Sequence, residues 1–334
     1  MEKKLLGELE LNRIYQRDCI EGMRLIPDDS VNLIVIDPPY NIGKDSRWDK
    51  WKSVEGYVDF MSTVFKECER VLKPNGSFYF FHNDMVQVRK LMDAIDDETS
   101  FVYKNFILWN KRYNGSPRKY YFDNVIKTES SRSYRPLTEY CLFYTFQKEL
   151  TDVTHDVNKF ESLRSYFREF LAALGITKKA LMENVGQRAD HCFRCSSSQW
   201  DLPTQETYES LLELPRDNSF VAVSYAELTG IYEGMRQQYE SERYTYNHQK
   251  THHDVWDYEV APKLGHCTPK PLDLIENIIL HSSNPGDVVL DCFMGSGTTA
   301  VASARTGRNF IGFEREPEYV EITNKRLDNE LEAN

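Results

Sequence analysis

The sequence predicts an α/β protein: a doubly wound, mostly parallel sheet interrupted by a mainly helical insertion. Three observations carry that expectation. Short apolar runs alternate with helical stretches over residues 1–150, and the alternation resumes at 261–334. One run, Leu33-Ile34-Val35-Ile36, stops at Asp37-Pro38-Pro39-Tyr40. Another, Val288-Val289-Leu290-Asp291, opens into the glycine-rich Phe293-Met294-Gly295-Ser296-Gly297-Thr298-Thr299. Open α/β sheets place their chemistry beyond the carboxyl ends of their strands, where both acids stand.

The whole chain sets bounds on the function. Its 334 residues suffice for one large domain or two ordinary ones, and 40% apolar content with 20 Tyr and 18 Phe supports a sizeable core. No apolar run has the length of a membrane span, and Met1 to Leu11 lacks the apolar core of a signal peptide. Seven scattered cysteines suit a reducing cytoplasm better than a disulfide framework, so a cytoplasmic location is expected. The net charge of −11 argues against a protein that coats nucleic acid without specificity. One segment departs from that balance. Between Lys104 and Arg135 eight basic residues face two acidic ones, with Trp109, Tyr113, Tyr120 and Tyr121 among the interleaved aromatics. A solvated loop and a nucleic-acid contact both fit such a segment.

Residues 11–18 form a short predicted strand ending at Asp18, followed by a helix from Cys19 to Leu25 and a loop at Pro27 to Ser30. Leu33 to Ile36 is the buried parallel strand; two prolines without N–H groups must stop it and stiffen its end. Asn41 to Lys52 is long enough for a binding loop. Val54 to Leu72 has helical spacing and meets a stop at Lys73-Pro74-Asn75-Gly76. Ser77 to Phe81 is a buried strand, Val86 to Ala94 a helix, and Phe101 to Trp109 and Glu139 to Thr145 further strands.

Residues 151–260 lose the strand pattern and become rich in Glu, Gln, Ser and Thr. A helix at Glu161 to Leu174 closes on Gly175, Thr177 caps Lys178 to Val185, and Gly186 turns the chain. Further helices are expected near Ala189 to Arg194 and over Gln205 to Leu212. A DNA-reading helix-turn-helix and a small helical packing insert fit this stretch equally. His191, Cys192 and Cys195 have ligand spacing, but a structural zinc needs four ligands, and no metal is expected. The end returns to alternation: helix Leu272 to His281, strand Val288 to Asp291, helix Ala300 to Arg305, strand Asn309 to Glu314, and helix Pro317 to Leu331.

Strand, acid, glycine turn, helix, strand, acid is a nucleotide-binding βαβ pattern. Gly295 and Gly297 would let the backbone approach a ligand, and Glu314 could hold ribose hydroxyls. The loop lacks a third glycine and a P-loop lysine, so a nucleoside with a short charged tail, such as S-adenosylmethionine, fits better than a pyrophosphate. At the other strand end, Asp37 and the Pro38 carbonyl are two acceptors and Tyr40 a stacking surface, which together suit an exocyclic amine on a planar base.

With both motifs in this order the chain resembles the S-adenosylmethionine-dependent DNA amino-methyltransferases, specifically their permuted β group. His266-x-Thr268-x-Lys270-Pro271 is similar to the family's cofactor-side motif, and Trp109-x-Lys111 with Pro117 to its segment near the target pocket. The resemblance implies a circularly permuted Rossmann-like methyltransferase sheet. Its catalytic half is 1–150, its target-recognition insert 151–260, and its cofactor half 261–334. It implies transfer of a methyl group to the N6 amine of a flipped-out adenine in DNA, with Asp37, Pro38, Pro39 and Tyr40 catalytic. Asp18, Cys19, Asp37, His266, Thr268, Lys270, Asp291, Phe293, Gly295, Ser296, Gly297, Thr298, Thr299 and Glu314 are expected around S-adenosylmethionine. Lys270 and Thr268 fall near its carboxylate, and Asp18 with Cys19 near its adenine. Trp109, Lys111, Arg112, Arg118, Lys119, Arg132 and Arg135 are the expected DNA contacts. A homodimer and a cognate restriction endonuclease are implied by analogy alone. Rival readings are N4-cytosine methylation, methylation of RNA or of a protein glutamine, and a DNA-binding regulator on an inert methyltransferase fold.

Overall fold

The structure is a computed structural model that describes residues 4–43, 49–113, 116–117, 137–146, 160–197, 199–242, 245, 247, 253–262 and 269–333. A short hairpin, β1 (Leu5–Leu6) with β2 (Leu9–Glu10), leads into β3 (Arg13–Gln16), α1 (Cys19–Met23), β4 (Val31–Ile36) and α2 (Val54–Val71). Then come β5 (Leu72–His82), α3 (Met85–Glu98), β6 (Val102–Tyr113), β7 (Ser116–Pro117) and β8 (Thr138–Thr145). Helices α4 (Glu161–Leu174), α5 (Lys178–Val185), α6 (Gln205–Leu212) and α7 (Tyr225–Glu242) follow. The chain closes with β9 (Val255–Glu259), α8 (Leu272–Ser282), β10 (Val288–Asp291), α9 (Thr298–Arg305), β11 (Asn309–Glu314) and α10 (Pro317–Ala333). Among the described residues no helix is long and apolar enough to cross a membrane.

The main sheet runs β3-β11-β10-β4-β5-β8-β6-β7, with β9 beside β6. Its first five strands are mutually parallel, while β8 is antiparallel to both β5 and β6. The apolar runs are continuous because both faces are covered. Ile34, Ile36, Phe78 and Phe80 face one core with Tyr57, Met61, Val64 and Phe65 of α2. Their alternates Leu33, Val35, Tyr79 and Phe81 face the other with Ile275, Ile278 and Ile279 of α8. At about 25 cal/mol per Å² of apolar surface removed from water, this two-sided burial is the main force holding the sheet.

The helix stops where expected, but Lys73 to Gly76 already belongs to β5, which begins at Leu72 rather than at Ser77. Leu72 pairs with Val31, the register then shifts, and Ser77 pairs with Leu33. Gly76 makes the irregularity fit, since a Cβ there would stand 2.7 Å from Leu72 Cγ and 3.0 Å from the Asn32 carbonyl. Val255–Glu259, grouped with the helical insertion by composition, is likewise a strand, parallel to β6 from Leu108 to Arg112.

The chain forms two compact units, 1–148 with 244–334, and 149–243. The second has its own core of Phe167, Phe170, Trp200, Tyr208 and Leu211. Gly175 ends α4 in the left-handed region at φ +62°, and Thr177 caps α5 by accepting from the Ala180 N–H. The helix expected near Ala189 to Arg194 is a 3₁₀ segment, Gln187–Phe193. Trp200 donates its indole N–H to the Cys192 carbonyl at its end, 2.8 Å away.

Candidate active site

Four neighbouring parallel strands reach the same edge of the sheet, each with an acid at its end. In spatial order they are Asp18 after β3, Glu314 ending β11, Asp291 ending β10 and Asp37 after β4. All four border one cleft, which Pro38, Pro39, Tyr40, Lys270, Phe293, Gly295, Ser296, Thr298 and Thr299 also line. The two motifs, far apart in sequence, therefore meet because β4 and β10 are adjacent, Val289 beside Leu33.

On one side the glycine turn sets out a polar cradle. Gly295, at φ +51°, donates its N–H to Glu314 Oε2 at 2.8 Å, and the Glu316 N–H reaches Oε1 at 2.8 Å. The carboxyl is thus fixed in orientation, and burial raises its pKa above the usual range. Asp291 accepts from the Thr299 hydroxyl at 2.6 Å and the Phe293 N–H at 3.0 Å; burial pushes its pKa up to about 7. Asp18 caps α1 through the Ile20 and Glu21 N–H groups, and burial pushes the Cys19 thiol up to about 12. Thr323 and Arg326 of α10 hold the turn from behind, donating to the carbonyls of Gly295 and Ser296 at 3.0 and 2.5 Å.

Gly297 departs from its expected role. It does not line the cleft; its φ is +80°, and a Cβ would collide with the Thr323 side chain. Close packing of turn against helix, rather than approach to a ligand, is what excludes a side chain there.

On the other side Asp37 and Tyr40 sit in a buried ionic cluster. The Tyr40 hydroxyl stands 2.5 Å from both Asp37 Oδ1 and Glu139 Oε1. Lys270 Nζ lies 2.5 Å from Asp37 Oδ2, 2.7 Å from Glu139 Oε1 and 3.2 Å from the Tyr40 hydroxyl. Lys111 pairs with Glu139 Oε2. Burial alone would raise Glu139, yet Lys270 and Lys111 hold it well below the usual carboxylate range. Burial draws the Lys270 ammonium down, and Asp37 and Glu139 together more than offset it. The Tyr40 hydroxyl is pushed well up by burial and by the two acids.

The strand exit is braced from below. His82 packs under the Tyr40 ring at 4.7 Å between centroids, and its Nε2 meets the Tyr57 hydroxyl at 3.2 Å. Tyr57 in turn donates to the Pro39 carbonyl at 2.7 Å, and Gln87 to the Tyr40 carbonyl at 3.0 Å. His82 Nδ1 accepts from the Asp84 N–H, so the neutral ring carries its proton on Nε2. Burial lowers its pKa to about 4.

Lys270, expected near a cofactor carboxylate, lines the cleft, where its ammonium pairs with Asp37 and Glu139. Other expected residues lie elsewhere. Trp109, expected at the DNA, is 2% exposed and donates its N–H to the Tyr258 carbonyl at 3.0 Å. Lys111 lies over the Trp109 ring at 5.1 Å, its charge already paired. Arg112 contributes described backbone to β6 but no described side chain, and Arg118, Lys119, Arg132, Arg135, His266 and Thr268 lie outside the described residues. Glu139, His82 and Tyr57 went unnoticed in the sequence. Period-two alternation in β8, which puts Glu139 on the face of buried Cys141 and Phe143, is the signal that marks Glu139.

The family model of the DNA methylases that act on N6 and N4 amines matches residues 31–325. The chain is 30% identical to the type II methyltransferase M1.MboII of Moraxella bovis over 98% of its own length and 100% of the relative's. It is 28% identical to the DNA adenine methyltransferase YhdJ of Escherichia coli (strain K12), over 96% and 83% of the two chains. The solved PvuII DNA methyltransferase (cytosine-N4-specific) shares the fold at a TM-score of 0.52 and 16% identity, over 94% of this chain and 85% of that one. The cleft, its two motifs and this match over nearly the full length lead to one assignment: the chain belongs to the S-adenosylmethionine-dependent DNA amino-methyltransferases.

Proposed function

We propose that this enzyme methylates the N6 amine of adenine at a specific DNA site. The observation that carries the reading is Asp37-Pro38-Pro39-Tyr40, rigid at the end of β4, sharing one cleft with the glycine turn after β10. The acid at the head of that tetrapeptide favours adenine by analogy, since N4-cytosine enzymes more often begin it with Ser. The name of the relative from Escherichia coli agrees with that choice.

The cradle fits S-adenosylmethionine. Glu314, with both oxygens oriented by backbone N–H groups, suits ribose hydroxyls, and the Gly295-Ser296 backbone suits a short charged tail. Asp18 with Cys19 would border the cofactor's adenine, and Asp291, Phe293, Thr298 and Thr299 its methionine end. When bound, the cofactor supplies an electrophilic methyl group.

The chain's own residues prepare the amine. A base inside a duplex hides its exocyclic nitrogen, so the target is flipped into the cleft, at a cost of a few kcal/mol. Asp37 and the Pro38 carbonyl accept its two N–H groups and draw them out of conjugation with the ring. That contact strengthens as the nitrogen becomes nucleophilic, and so favours the transition state over the ground state. The Tyr40 ring gives the base a face to rest on. The type II relative supports a further proposal, that a restriction endonuclease of matching specificity accompanies the enzyme.

The test is incubation of the purified protein with labelled S-adenosylmethionine and mixed genomic DNA, followed by nucleoside mass spectrometry. N6-methyladenine is the expected product. N4-methylcytosine alone would overturn the choice of base, and an unmethylated digest would overturn the reaction.

A further inference from the structure

Asp37 is already engaged from two sides. Tyr40 bonds one oxygen and Lys270 pairs with the other, so an approaching amine meets a carboxylate whose charge Lys270 neutralises. Both of those groups also touch Glu139, at 2.5 and 2.7 Å. Glu139 itself does not border the cleft and is 4% exposed. It is anchored on β8 opposite Trp109 of β6, and Lys111 secures its other oxygen. It is thus a fixed second acceptor for the two donors that occupy Asp37.

We propose that Glu139 is a positioning residue that takes over Lys270 and the Tyr40 hydroxyl when Asp37 turns to the target amine. The inference rests on Asp37 receiving the amine, whichever base carries it. The handover needs no proton transfer. Lys270 and Tyr40 keep the contact they already have with Glu139 and lengthen the one with Asp37. Two lysines face two carboxylates throughout, so no charge is stranded in the buried cluster. Without the Glu139 charge, Asp37 is the one carboxylate left to Lys270 in this cluster, and the pair holds closed against the amine.

The test compares Glu139→Gln, and the double variant Glu139→Gln with Lys270→Met, with the wild-type enzyme on methylatable DNA. In Glu139→Gln, kcat is expected to fall by about 10- to 100-fold, the range of a charged hydrogen bond misplaced in a buried site. The Kd for S-adenosylmethionine, measured by calorimetry, stays within about twofold, because the cradle at Glu314 and Gly295 is untouched. The double variant, freed of the clamping cation, turns over faster than the single one. A purely structural role predicts the reverse order, each lost side chain adding damage. Three results overturn the inference: wild-type kcat in Glu139→Gln, a cofactor Kd that rises as kcat falls, or a double variant no faster than the single. If Glu139→Gln fails to fold, the comparison moves to Glu139→Asp, whose charge is kept but set back by a methylene. There kcat falls with the cofactor Kd unchanged, and an unchanged kcat overturns the inference. Wild-type enzyme that methylates no DNA base would refute the reaction itself, a result separate from any of these.

Discussion

Acid should unlock the strand exit through His82. The ring is fully buried beneath Tyr40 and tied through Tyr57 to the Pro39 carbonyl. Burial lowers its pKa from 6.5 to about 4. A depressed folded-state pKa means that the unfolded chain binds the proton first as pH falls. The stabilisation is complete above the unfolded value of 6.5 and is lost as pH falls through about 4. At 1.36 kcal/mol per pKa unit, the loss between about pH 7 and pH 4 is on the order of 3 kcal/mol. The comparison is with His82→Gln, whose amide can still donate toward the Tyr57 hydroxyl but does not titrate. Urea unfolding followed by tryptophan fluorescence at both pH values gives the stability of each protein. Carboxylates elsewhere weaken both proteins in acid, so the difference between the two losses isolates His82. The wild type is expected to lose about 3 kcal/mol more than the variant over that interval. Equal losses would show that His82 titrates alike in the folded and unfolded chain.

Two further outcomes follow from the cradle. Gly297→Ala places a side chain at φ +80° and against Thr323, so it should cost about 2–4 kcal/mol of stability in urea unfolding and disorder the turn. A loss under about 0.5 kcal/mol would show that the turn yields freely. Glu314→Gln leaves the Gly295 and Glu316 N–H groups one carboxylate oxygen short, and weakens any bond to ribose hydroxyls. Calorimetry should find the Kd for S-adenosylmethionine raised about 10- to 100-fold, with an unchanged value counting against the assignment of Glu314.

The parallel half of the sheet was legible because its strands are buried on both faces and end in acids. The runs at Leu33 and Val288 have no other reading that also explains Asp37-Pro38-Pro39-Tyr40 and the glycine turn. Caps in the insertion were equally plain, since Thr177 and Gly175 act within a few residues of themselves. What the sequence hid depends on partners distant along the chain. Gly297 reads as a ligand-facing glycine until Thr323 is seen behind it. Trp109 and Lys111 read as DNA contacts until Tyr258 and Glu139 claim them. Val255 to Glu259 buries none of its residues fully, and only its pairing with β6 makes it a strand of the sheet. Pro74 ends the helix as it reads, but that it also lies inside β5 depends on the irregular register opposite Val31 and Leu33.

In the proposed reaction Asp37 receives the target amine, and the glycine turn with Glu314 would hold the cofactor apart from it. Asp37→Ala tests it in one preparation, with single-turnover methyl transfer to DNA measured beside calorimetric binding of S-adenosylmethionine. Transfer should fall by about 10³-fold, the loss seen when one preorganised electrostatic partner of a transition state is removed. The cofactor Kd should stay within about threefold of wild type, because Glu314 and the glycine turn remain in place. Full transfer in the variant would show that the amine is held elsewhere, and loss of cofactor binding in step with transfer would place Asp37 in the cofactor cradle.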